Sequence, residues 1–223
     1  MDKTIYGIDD EKDIIKQIEY LKKINPTLIK ESGSIKTFQE QLLEYKYGKF
    51  PKGIPLVVSP TSKIIGIEKL SDLPITINQS IINKIEEKHG IEVDSIICLE
   101  EQLKNHVLAF ESMTIGNAIV LVFEQKDNED RQVICALHQN TQSSHVEVNA
   151  IRSIYGRNNI SNMICNTYAN KKEFFPNKRT DDWLKSVGVQ FPKEIINHLS
   201  LSLYDSKSKG QSQAVKPKKP MHI

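Results

Sequence analysis

The stretch HVEVNAIRSIYGR, residues 145–157, concentrates groups that can move protons or hold phosphates. Every second residue gives His145, Glu147, Asn149, Ile151, Ser153 and Tyr155, so an extended chain would collect an imidazole, a carboxylate, an amide, a hydroxyl and a phenol on one side. The other register, Val146, Val148, Ala150, Arg152 and Ile154, is mostly apolar and predicts the face turned to the core. A helix would align Val148, Ile151 and Tyr155 but would scatter Val146 and Ile154 around its cylinder, so the alternation predicts a strand.

The chemistry within reach is acid–base chemistry on a phosphodiester. Cleaving RNA by attack of its own 2′-hydroxyl requires a base for that proton, an acid for the departing 5′-oxygen and donors for the charge that builds on phosphorus. Histidine suits both proton-transfer roles because its pKa lies near neutrality. Of the six histidines, His138 and His145 are placed near one another, at the end of one predicted strand and the start of the next. Arg157, Arg152 or Lys126 can supply positive charge, Asn149 and Ser153 neutral donors, and Tyr155 a stacking surface or a hydroxyl. A metal centre would have to be built from His138, His145 and Glu147, a thin set, and none is expected. No cofactor is expected, since no glycine-rich phosphate loop or dinucleotide fingerprint is present.

Each residue also has a plainer explanation. His138 continues the face of Ile134 and Ala136 and can be a hydrogen-bonded sheet histidine. Asn149 and Ser153 can be the wet side of a half-exposed strand, and Glu147 can pair with Arg152. Lys126 and Asp127 fall in a turn that favours such residues. His89 ends a predicted helix, where the dipole accounts for it.

The 223 residues suffice for one domain with an appendage. Apolar residues form 39% and charged residues 26%, no apolar run is long enough for a membrane helix, and the acidic start MDKTIYGIDDEKD has no apolar signal core. A cytoplasmic setting, or delivery into a target cell's cytoplasm, is the expectation. Cys98, Cys135 and Cys165 lie far apart and predict buried, reduced thiols. Residues 206–223 hold five lysines and no acid, so the rest of the chain is −3 against an overall +2. Within it, residues 131–179 carry four arginines and three lysines against Glu147 and Glu173, a local excess of +5 that suits a phosphate-bearing partner.

The periodicities divide the chain into a helical lead-in over 1–50, a body over 51–204 and a disordered basic tail over 205–223. Residues 10–24 predict one helix, and a second runs from a Ser34 cap to Gly48. IPLVVS (54–59) predicts a strand, and Asn78 to Gly90 a helix. Residues 106–112 predict a strand, and AIVLVFE (118–124) and RQVICALHQ (131–139) an antiparallel hairpin. Helices follow from Ile160, from a Thr180 cap to Gly188, and from Pro192.

LVVSPTSKIIG, LPITINQSIINKIEEKHG, NHVLAFES, AIVLVFEQKD, VICALHQN, EVNAIRSIYGR and DWLKSVGVQFPKE occur in one order. Together they resemble the C-terminal domain of phage MuF-type head morphogenesis proteins, grouped with barnase–EndoU–colicin–RelE-like (BECR) nucleases, over about residues 53–194. The resemblance implies an α+β domain with N-terminal helices packed on a small antiparallel sheet of about four strands. It also implies a metal-independent ribonuclease toxin acting from the open sheet face. The EVNxIxSxYG pattern falls on Glu147, Val148, Asn149, Ile151, Ser153, Tyr155 and Gly156, with Lys126 and His138 in the flanking motifs. The expected partners are RNA, tRNA among the candidates, and an acidic immunity protein. Two other readings stay open: a module that only holds nucleic acid or a phage protein, and a nucleotide-dependent transferase, for which no motif is found.

Overall fold

Short runs rich in β-branched residues become strands, and the segments with apolar residues three and four apart become helices that cover them. The computed structural model describes residues 11–89, 91, 93–143, 145–187 and 191–199; the basic tail and the helix stops at Gly90 and Gly188 lie outside them. The strands are β1 (Leu56–Ser59), β2 (Ile75–Ile77), β3 (Leu108–Glu111), β4 (Ala118–Lys126), β5 (Gln132–Ser143), β6 (Val146–Arg157) and β7 (Phe174–Pro176). They form one seven-stranded sheet in the order β1-β2-β6-β5-β4-β3-β7. All neighbours are antiparallel except β2 and β6, which run parallel.

This overturns the expected small antiparallel sheet of about four strands. The expected hairpin forms the middle of the sheet, but β1 and β2 join through the parallel pairing of Ile75–Ile77 with Asn149–Ile151. Phe174–Pro176 adds the opposite border against Leu108–Phe110. Two of these additions are only three residues long, too short for a two-residue period to show.

The helices are α1 (Glu11–Ile24), α2 (Phe38–Lys46), α3 (Gln79–His89), α4 (Leu99–Lys104), α5 (Ile160–Ala169) and α6 (Thr180–Ser186), and residues 193–199 are also helical. Phe38 and Leu42 of α2, Ile81, Ile82 and Ile85 of α3, and Leu99 and Leu103 of α4 pack on one side of the sheet. The other side has two separate covers. Leu21 and Ile24 of α1 pack with Leu28 on Val57, Val146, Val148 and Ala150. Ile160, Ile164, Trp183, Leu184, Ile195 and Leu199 pack on Val120, Val122 and Ile134. Each large apolar side chain so buried stabilises the fold by roughly 1.5–3 kcal/mol before conformational entropy is counted.

Two cap expectations are corrected. The helix α2 starts at a capping box, Thr37 Oγ1 accepting from the Glu40 amide at 3.2 Å and Glu40 Oε2 from the Thr37 amide at 2.8 Å, so Ser34 lies outside it. Thr180 sits within α6, where its hydroxyl donates to the Val107 carbonyl at 2.7 Å and ties the helix to β3. Where described, the lead-in packs on the sheet. The Gln41 side chain donates to the Val57 carbonyl and accepts from the Val57 amide, both at 2.9 Å, and so occupies the outer edge of β1. Of the cysteines, Cys135 is buried and its thiol pKa pushed up by that burial, whereas Cys98 is exposed.

Candidate functional site

The sequence predicts one unbroken alternation through residues 145–155, and β6 does span Val146–Arg157. Its sides change partway along. Ala136 pairs with Ser153 but Leu137 pairs with Ile151, so Arg152 is an extra residue, a β-bulge. Before the bulge, Val146, Val148 and Ala150 face α1, and Ile151 lies in the α3-side core. After it, Ile154 takes the α3 side, while Ser153 and Tyr155 share the α5 side with their partners Ala136 and Ile134. The expected polar face is therefore divided between the two sides of the sheet. Arg152, expected in the core-facing register, is exposed.

A second irregularity explains Asn149. Between His138, which pairs with Ala150, and Thr141, which pairs with Val148, β5 has two residues opposite one on β6. Asn149 is fully buried there. Its Oδ1 accepts from the Asn140 amide at 3.2 Å and its Nδ2 donates to the Ser71 carbonyl at 2.9 Å, while its backbone amide donates to the Pro74 carbonyl at 2.9 Å. Asn140 takes a left-handed φ of 48°, which asparagine tolerates. Asn149 thus fixes the register and joins β6 to the segment before β2. His145 is exposed in the β5–β6 turn at φ 71°, and Glu147 is exposed, its carbonyl accepting from the Tyr20 hydroxyl at 2.7 Å. From His138 to this turn is about 20 Å of strand, so the two histidines are not brought together.

His138 lies instead on the α5 side, across from Ala118 on β4 and Ala150 on β6. With Ala136, Ser153 and Arg152 it floors a half-open band between the α1 cover and the α5–α6 cover. The small side chains keep that floor low. Burial, and then the positive charge of Arg152, hold the His138 pKa below the ordinary histidine value, so its imidazole is neutral near pH 7. Arg152 forms no ion pair among the described residues. Tyr155 is half-buried, paired with Ile134 across the strands and packed against the apolar cluster under α5 and α6.

Lys126 and Arg157 meet farther along the same side. Lys126 pairs with Gln132 and Gln132 with Arg157, so the three form one row across β4, β5 and β6. They line a cavity of about 420 Å³ with Asn158, Asn159, Ser161 and Trp183. Sequence reasoning missed what shapes this end. Asp127 folds back from the β4–β5 turn so that its carboxylate accepts from the Arg131 amide at 2.9 Å, Arg131 Nε at 2.7 Å and the Glu129 amide at 3.0 Å. Burial opposes its charge, but these donors hold its carboxyl below the ordinary aspartate range. A Cβ on Gly156 would stand 1.8 Å from Asp127 Oδ2 and 2.5 Å from its Cγ. A glycine inside a strand pattern is the signal of such close approach.

No group of three or more His, Cys, Asp or Glu side chains among the described residues is placed to hold a metal ion, and no helix among them is long and apolar enough to cross a membrane. No curated protein and no solved structure matches the chain. One family model does match, over the part that runs from α3 through the β3–β7 strands to the start of α6. That match, over residues 80–181, is to the phage MuF C-terminal domain.

Proposed function

We propose that this chain, with its match to the phage MuF C-terminal domain, is a metal-independent endoribonuclease of the toxin type. The observation that carries the reading is the band on the α5 side, where the half-buried His138 shares a floor with Ser153 and Arg152. In the reaction a His138 ring nitrogen takes the proton of a ribose 2′-hydroxyl. The 2′-oxygen attacks the adjacent phosphorus, the bond from phosphorus to the 5′-oxygen breaks, and the imidazolium returns the proton to that oxygen. The products are a 2′,3′-cyclic phosphate and a free 5′-hydroxyl. Arg152 stabilises the charge on phosphorus, and Ser153 donates to a non-bridging oxygen. A protein that neutralises the domain would cover the α5 side with acidic groups facing Arg152 and Arg157.

The second reading is a binding module without chemistry. It is favoured by the separation of His138 from His145, which leaves one imidazole for both proton transfers. Incubation of the whole chain with tRNA and total RNA in EDTA separates the two. Cleavage with cyclic-phosphate ends is expected, slowed on the order of 10²–10⁴-fold in His138→Ala and little changed in His145→Ala. Binding without cleavage by folded protein would establish the module, and loss of cleavage in His145→Ala alone would move the site to the β5–β6 turn.

A further inference from the structure

The cavity at the far end of the α5 side is separate from the His138 band. Gln132 is six residues from His138 along β5, about 20 Å of strand, and Ile134 lies buried between them. Its acids are already engaged: Asp130 with Lys126 at 2.8 Å, Glu129 with Arg131 at 2.8 Å, and Glu124 with Arg179. Arg157 is exposed and forms no ion pair among the described residues. The Lys126–Asp130 pair is a surface pair worth little and is readily exchanged for a stronger anion. The Asn158 side-chain amide on the same wall adds neutral donors, whereas the Ser161 hydroxyl already donates to Asn159 Oδ1 at 2.9 Å.

We propose that this cavity seats a second phosphate group of a single-stranded RNA whose reacting nucleotide lies at His138. The inference rests on the endoribonuclease reading and adds a minimum substrate length. About 20 Å is spanned by about six stacked nucleotides, and by fewer in an extended strand. A guanidinium can take phosphate through two parallel N–H bonds, which suits Arg157 as the anchor and Lys126 as the accessory charge. A dinucleotide would reach His138 without reaching the cavity, so length should change binding more than base sequence does.

Trp183 is the only tryptophan of the chain and lines the cavity, so its fluorescence reports occupancy directly. The probe is a 2′-O-methyl octaribonucleotide, which binds but cannot be cut by its own 2′-oxygen, compared with the 2′-O-methyl dinucleotide and inorganic phosphate. A saturable Trp183 change with the octamer is expected, and none with the dinucleotide at equal concentration. Lys126→Ala with Arg157→Ala should weaken octamer binding on the order of tenfold or more and lower the salt slope by about 0.7, the share of one phosphate contact on a single strand. His138→Ala should leave the fluorescence titration intact. Binding and salt slope unchanged in the double variant would overturn the seat, even if the domain cuts RNA. Octamer binding lost with the double variant in a protein that cuts nothing would keep the seat and remove the chemistry. Saturation by inorganic phosphate alone, with no gain from the octamer, would reduce the cavity to a simple anion site and overturn the two-phosphate substrate.

Discussion

The two halves of β6 carry similar residue types and do different work. In Val146–Ile151 the polar members hold structure, since Asn149 is enclosed by the Asn140 amide and the Ser71 carbonyl. In Arg152–Arg157 the charges point outward from a strand whose apolar members are already anchored, Ile154 on one side and Tyr155 on the other. The difference comes from the bulge at Arg152, which shifts the alternation by one residue. A polar side chain on a strand therefore says little until the sheet has assigned it a side.

The largest break in this contrast should come from Gly156→Ala. The new methyl group meets the Asp127 carboxylate and not a flexible chain end, so either Asp127 leaves Arg131 or β6 moves. We expect a loss of about 3 kcal/mol in urea unfolding, from overpacking together with a disturbed buried ion pair. Asn149→Ala should cost about 2 kcal/mol, because the Asn140 amide and the Ser71 carbonyl lose their partner in the interior. If it instead left stability unchanged and abolished RNA cleavage, Asn149 would belong with the reacting groups and the contrast between the halves would fail.

A smaller effect is the pH dependence set by His138 and His106. Burial, and then Arg152, lower the pKa of His138. Burial and the Arg179 charge lower that of His106 against the opposing pull of its bond to the Leu103 carbonyl, 2.9 Å away. Both bind protons less readily folded than unfolded, so their contribution is fully present above the unfolded histidine pKa of about 6.5 and is lost as pH falls below it. Unfolding measured across that window should show His106→Gln flattening the acid loss more than His138→Gln does. Arg152→Ala should raise the His138 pKa in an NMR titration and leave that of His106 in place. An unmoved His138 would remove Arg152 from the band.

What could be read from the sequence follows from how local each cause is. The strand at Val146–Arg157, the β4–β5 hairpin and α5 rest on periodicities within a dozen residues, and all three form. The parallel pairing of β2 with β6 depends on residues more than seventy positions apart, and no periodicity encodes it. The site divides in the same way. Lys126 and Arg157 were legible as charges, and the row that joins them across Gln132 follows from hairpin register. The bulges that buried Asn149 and exposed Arg152 are set by what β5 and the segment before β2 offer in return. Ser34 and Thr180 show the same limit at helix starts, where Glu40 and the Val107 carbonyl chose the outcome.

The Gln41 amide gives β1 a counterfeit neighbouring strand, closing a border that would otherwise offer the Val57 amide and carbonyl to any passing chain. At the opposite border β7 ends in Pro176, which has no N–H to offer. The matched segment 80–181 lies entirely downstream of Gln41, β1 and β2. Excised alone, that segment would leave β6 without its parallel partner and Asn149 without the Ser71 carbonyl. Self-association would then be a property of where the cut was made, and would say nothing about how the intact protein assembles.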